Sequence, residues 1–248
     1  MQKELKMCSL FSGIGGLELG LEAAVPGLKT CWQVEQNEFC RQVLKKHWPD
    51  AERFEDVRTV ELEDIRGADV ICGGFPCQDI SVAGKGAGLA GERSGLWWEM
   101  HRLISLALPR VVVAENVPVL TGRGLSEVLC ALARCGYTCE WDTVSAAAVG
   151  ALHRRNRIFI IGHRDAADTH RSRLEKRERK TRERTLPAIA GSDGRPIEPG
   201  VCPVIDGVPR GMAGYRKQAL MALGNAVVPQ VAYQVGLRVN QILKDKNQ

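Results

Sequence analysis

The sequence predicts an α/β fold, a mainly parallel β-sheet with helices on both faces, and three observations carry that expectation. Short apolar segments alternate with amphipathic ones through the first 163 residues, the pattern of strands joined by crossover helices. A glycine-rich turn, Phe11-Ser12-Gly13-Ile14-Gly15-Gly16, separates the first apolar segment from the first helical pattern. The apolar segment 68–72 runs into Gly73-Gly74-Phe75-Pro76-Cys77-Gln78, and strand ends of α/β sheets open onto the ligand crevice.

The elements follow in order. Residues 7–11 form a short apolar strand and 17–24 a helix, with a second strand over 28–35 and a helix over 38–48. Further strands fit 69–73, 110–115, 137–145 and 157–162, with helices over 94–108 and 125–135 between them. After His163 the alternation stops. Residues 164–215 are rich in charge, Gly and Pro with few apolar positions at either period, and read as a small irregular domain or a partly disordered insertion. Order returns near Arg216; Pro229 suits a first helical turn, and Val231, Val235, Val239 and Ile242 share one face of a closing helix. That face has nothing to bury against except the first domain. The organisation expected is therefore an α/β domain over 1–163, an inserted segment over 164–215, and a return to the first domain over 216–248.

Composition sets outer limits. At 44% hydrophobic and 25% charged, the 248 residues are ordinary for a water-soluble protein. No secretory leader is read at Met1, so the nine cysteines are expected as reduced thiols in a cytoplasmic protein. Cys130, Cys135 and Cys139 lack paired metal-ligand spacing, and no metal is expected. Pro109 and Arg110 break the longest apolar run, which excludes a membrane span there. The net charge of +5 is localised: residues 164–184 hold nine Lys/Arg against five Asp/Glu, leaving 25 against 24 elsewhere. A near-neutral body with one basic run points to local polyanion contact. Equally, the i,i+4 pairs Glu175 with Arg179 and Glu178 with Arg182 would suit a solvated helix.

The chemistry-bearing residues sit at the turns. Cys77 follows Pro76 at a strand end, where a thiol is presented and becomes nucleophilic if nearby positive charge favours thiolate. The glycine turn, with Gly13 and Gly15, permits close approach of a cofactor, and Glu35, 20 positions after Gly15, can hold ribose hydroxyls. The missing third glycine of a strict dinucleotide fingerprint also fits a nucleoside cofactor. Arg155 and Arg157 alternate on an extended segment and so point the same way.

Taken in order, FSGIGG at 11–16, the acid in VEQNEFC, GGFPCQDIS at 73–81, ERSGLWWEMHRL at 92–103, ENV at 115–117, HRRNRIFIIG at 153–162 and GNAVVP at 224–229 resemble the C5-cytosine DNA methyltransferase family. The resemblance implies a Rossmann-like domain that transfers a methyl group from S-adenosylmethionine to C5 of a flipped cytosine. It implies that Cys77 adds to C6, that Glu115 holds or protonates N3, and that Arg155 and Arg157 bind the O2 and phosphate of the target nucleotide. It carries Phe11 to adenine stacking, Glu35 to ribose, Asp56 to the adenine amine, and Leu96 and Asn225 to the methionine end. Asn116 would fix the loop around Glu115, and residues 81–93 would form a loop that closes over the base. His153 departs from the family, which often has glutamine there. The segment between the arginine motif and GNAVVP is short for the family, so phosphate contacts and a short or relaxed recognition word are expected. Double-stranded DNA is the expected partner of a monomer, with a cognate restriction enzyme or a specificity partner as further candidates. The rival readings are tRNA cytosine-5 methylation within the same family and a noncatalytic DNA- or cofactor-binding regulator.

Overall fold

The computed structural model describes residues 4–76, 95–151, 153, 155–164 and 213–245, with the side chains of 213–217 and 220 outside that set. Cys77, the loop 81–93 and nearly all of the basic run lie outside the described residues. Seven strands form one sheet in the order β3-β2-β1-β4-β5-β7-β6. They are β1 (Leu5–Leu10), β2 (Leu28–Val34), β3 (Glu52–Phe54), β4 (Val70–Gly74), β5 (Val111–Asn116), β6 (Thr138–Ser145) and β7 (Asn156–His163). The helices are α1 (Gly16–Ala24), α2 (Glu38–His47), α3 (Gly95–Ala107), α4 (Leu125–Arg134), α5 (Ala213–Asn225) and α6 (Pro229–Asp245).

β1 to β5 are parallel, whereas β7 runs antiparallel between β5 and β6. The reversal has a local cause: β6 and β7 are joined by a short connection over 146–155, too short for a crossover helix. The strands are apolar on both faces because both faces are covered. Along β4 and β5, Ile71 and Val112 enter the core beneath α3 and α4, while Val70, Cys72, Val111 and Val113 enter the core shared with α1 and α6. Fully buried Trp97, Met100, Leu103 and Ile104 are the α3 side of the first core.

The closing helix buries the face anticipated for it. Val231, Val235, Val239 and Ile242 are all buried and pack with Leu17, Leu21 and Ala24 of α1. Two glycines let the helices meet: a Cβ at Gly20 would lie 2.5 Å from the Pro229 carbonyl oxygen and 2.4 Å from the Ala232 Cβ, and one at Gly236 would lie 2.5 Å from the Ala24 Cβ. The last element is thereby locked to the first helix. α5 begins at Ala213, three residues before the expected Arg216. No helix among the described residues is long and apolar enough to cross a membrane.

Candidate active site

The chain leaves β1 toward β2 and β3 on one side and returns to β4 and β5 on the other. This reversal opens a crevice at the carboxyl ends of β1 and β4, the place where open α/β sheets bind ligands. Phe11 enters it with a left-handed backbone, φ 57°. The glycine turn behind it is held by Glu35: Gly13 N–H donates to Glu35 Oε2 at 2.7 Å, and Asn37 N–H donates to Oε1 at 2.7 Å. Fixing both carboxylate oxygens in place leaves their remaining lone pairs for hydroxyl donors.

Phe11, Gly13, Glu35, Glu115 and Asn225 line one cavity of about 240 Å³. Asn225 arrives from the end of α5, so the cavity is closed by the last part of the chain. Gly15 faces a second cavity of about 870 Å³, which Arg155, Arg157 and His153 also line. Gly16, Ala226 and Val227 border both, making the two cavities neighbours across one wall. Asp56 and Leu96 line neither. Asp56 caps a short 3-10 turn and pairs with Arg58 Nη2 at 2.9 Å; the Arg58 hydrogen bonds hold its carboxyl below the usual range. Leu96 packs against the core beneath α3.

Glu115, the penultimate residue of β5, is nearly buried, 8% exposed. Burial pushes its carboxyl up to about 7, against the opposing pull of Arg157 and then Arg155. Arg157 Nε lies 2.8 Å from Glu115 Oε1 as an ion pair. The carboxylate occupies space that Gly74 leaves open, since a Cβ at Gly74 would stand 2.6 Å from Glu115 Oε2. Next to it, Asn116 Nδ2 donates to the Phe75 carbonyl at 3.0 Å and its Oδ1 accepts from Val117 N–H at 2.8 Å. That bridge ties the end of β5 to the segment leading into Cys77, which itself lies outside the described residues. Arg155 Nη1 donates to the Gly224 carbonyl, while its Nε and Nη2 are buried without a hydrogen-bond partner.

Three features escape sequence reasoning. Glycine at position 74 reads as a turn residue, yet its use is to make room for Glu115. The bond from Arg155 to Gly224 joins positions 69 apart in sequence. Glu18, on α1 between Leu17 and Leu21, reads as an ordinary first-turn acid but is fully buried and borders the smaller cavity. An acid at a position otherwise facing the core is the one signal that could have found it. Among the described residues no group of three His, Cys, Asp or Glu side chains could hold a metal ion.

The chain resembles known proteins along most of this framework. It is 35% identical over 165 residues to the Type II methyltransferase M2.BsuMI of Bacillus subtilis, a match covering 63% of this chain and 41% of that protein. It is 34% identical over 164 residues to the Type II methyltransferase M.NgoBI of Neisseria gonorrhoeae, covering 64% and 51%. The matches thus span about half the length of these relatives or less. Among solved structures, the Entamoeba histolytica methyltransferase EhMeth superposes with a TM-score of 0.69 at 15% identity, over 98% of this chain and 99% of that one, a likeness of fold. The model of the C-5 cytosine-specific DNA methylase family matches residues 5–205, from β1 through β7 and beyond. With the motif residues gathered at the switch point of a matching sheet, this chain belongs to the C-5 cytosine-specific DNA methylase family.

Proposed function

We propose that the protein methylates C5 of cytosine in duplex DNA, using S-adenosylmethionine bound in the smaller cavity. The observation that carries this reading is the pairing of Glu115 with Arg157 beside that cavity, one wall away from the cavity that holds Arg155. A carboxyl near 7 is available as an acid at neutral pH, and cytosine acquires charge at N3 when a nucleophile adds to C6.

The residues fit the cofactor class. A ring at Phe11, a carboxylate at Glu35 held toward the cavity by two backbone N–H groups, and Asn225 from the far end of the chain offer stacking, ribose and methionine-end contacts in one enclosure. The cofactor supplies an electrophilic methyl group attached to a sulfonium. The chain's own residues do the rest. The Cys77 thiolate adds to C6 while Glu115 protonates or hydrogen-bonds N3, which makes C5 nucleophilic. After the methyl group is taken, loss of the C5 proton to a base expels the thiolate and restores aromaticity. Arg157 keeps Glu115 oriented, and Arg155 holds the α5–α6 turn while offering buried donors to an anion. Gly15, Asp56 and Leu96 are assigned supporting places around the cofactor only on family resemblance.

In this reading, 1–163 with 216–248 form the catalytic body and 164–215 contacts the duplex, in a cytoplasmic monomer acting with or without a cognate restriction enzyme. The test is covalent trapping. DNA carrying 5-fluorocytosine cannot lose its C5 substituent as a proton, so the enzyme should remain attached through denaturation, and Cys77→Ala should abolish attachment. Trapping by the Cys77→Ala protein would place the nucleophile elsewhere. Methyl transfer to tRNA but not to duplex DNA would replace the substrate assignment.

A further inference from the structure

Glu18 is the third residue of α1 and fully buried, its polar neighbours being the Ser9 and Ser12 hydroxyls and its own backbone N–H. Among the described residues, no positive charge acts on it. Cys72 on β4 lies on the α1 side of the sheet and carries a thiol that burial drives up, so it stays neutral. Ser9 and Ser12 turn their hydroxyls toward it and toward each other, with the two Oγ atoms 3.0 Å apart. Glu22, one turn along the helix, adds negative charge and is already engaged, accepting from Thr30 N–H at 2.7 Å and from Trp48 Nε1 at 2.9 Å. The start of α1 contributes a favourable dipole, worth far less than the cost of an isolated buried carboxylate.

A carboxyl so placed either keeps its proton or meets a cation. The side of Glu18 left unaccounted for is the smaller cavity, of which it forms part of the wall. The other two acids of that cavity are committed: Glu35 to two backbone N–H groups, Glu115 to Arg157. We propose that Glu18 is the counter-charge for the cationic cofactor, favouring S-adenosylmethionine over its neutral-sulfur product through the field of its carboxylate across the cavity wall. This deepens, and rests on, the cofactor reading above. S-adenosylmethionine carries one more positive charge than S-adenosylhomocysteine, at the sulfonium. In a low-dielectric setting a single unscreened charge is enough to separate two otherwise similar ligands by about tenfold. Burial also raises the Glu18 carboxyl to about 7, so binding the cation near neutral pH draws off a proton that binding the product does not.

The experiment is calorimetric titration of the whole protein with each ligand at pH 7 in buffers of differing ionisation enthalpy. Wild type should release a fraction of a proton with S-adenosylmethionine and none with S-adenosylhomocysteine. Glu18→Gln should abolish the release and reduce the preference for S-adenosylmethionine about tenfold while keeping product affinity, which also reports an intact pocket. Glu115→Gln should retain the release, separating the two acids with similar titration. Equal proton release for both ligands in the wild type overturns the proposal without any variant. Unchanged release and preference in Glu18→Gln overturns it alone, leaving the cofactor reading in place. If the wild type binds neither ligand, the cofactor reading fails and the proposal falls with it.

Discussion

The contact between the first and last helices gives the sharpest structural test. Gly20→Ala places a Cβ 2.5 Å from the Pro229 carbonyl oxygen and 2.6 Å from the Tyr233 nitrogen, both backbone atoms that no rotamer change can move. Two effects compete. Replacing a helical glycine by alanine stabilises a helix by about 1 kcal/mol, whereas overpacking a close contact costs about 1–3 kcal/mol. With backbone on the receiving side, the cost falls at the upper end, so a net loss of about 2 kcal/mol is expected in denaturant unfolding. Because α6 begins four residues after Asn225, cofactor affinity should fall as well. A partner experiment fixes the cause. Gly236→Ala meets the Ala24 Cβ at 2.5 Å, so adding Ala24→Gly should recover stability beyond the sum of the single changes, a coupling of about 1 kcal/mol. If Gly20→Ala is neutral or stabilising, the helices are not in contact at these glycines and the account of how the cavity is closed is wrong.

Other outcomes follow from the same geometry. Glu35→Ala removes the acceptor for both Gly13 and Asn37 N–H; S-adenosylmethionine binding should weaken by about 1.5–3 kcal/mol in calorimetry, and unchanged affinity in a folded protein would remove Glu35 from the site. Burial pushes the Glu115 carboxyl up to about 7; with Glu115 as the acid of the proposed reaction, single-turnover methyl transfer should decline as pH rises through 7, a limb that Glu115→Gln should lack, and a persisting limb in that variant would assign it to another group. The same raised carboxyl makes the native state bind more protons than the unfolded chain between its ordinary value of 4.5 and about 7, so stability should fall as pH rises across that window and level off above it. Neutralising Arg177, Arg179, Lys180 and Arg182 together should weaken binding to all DNA sequences alike and flatten its salt dependence. Loss at one sequence with the salt slope intact would instead indicate base reading.

Much of the sheet is legible because its strands are buried on both faces and therefore appear as apolar runs, as in Val111 to Ala114 of β5. β3 gives no such signal: three residues, two of them charged, become a strand because Glu52, Arg53 and Phe54 pair with Trp32, Gln33 and Val34. Strand direction is likewise absent from side-chain pattern, and the antiparallel β7 emerges only from the short connection behind it. In the candidate site, Phe11, Glu35 and Glu115 are readable together because each lies at or just past the carboxyl end of a strand. Gly15 points into the neighbouring cavity although it lies two residues from Gly13, since successive residues of a tight turn face different ways. What pattern cannot supply is distance between remote parts, such as Arg155 reaching the Gly224 carbonyl.

The anchoring of both chain ends has an evolutionary consequence. β7 ends at His163 on the sheet, and α5 starts at Ala213 before the turn that leads into α6, which is clasped to α1. The two ends flanking the intervening stretch are thus held by the sheet and by the α1–α6 contact. Closing a flexible connection costs only about 0.6 kcal/mol more for each doubling of its length. A protein so built tolerates lengthening, shortening or exchange of the residues between His163 and Ala213 at a cost smaller than that of one misplaced core methyl group. New segments can therefore be grafted at this one position while the sheet and its cavities are inherited unchanged.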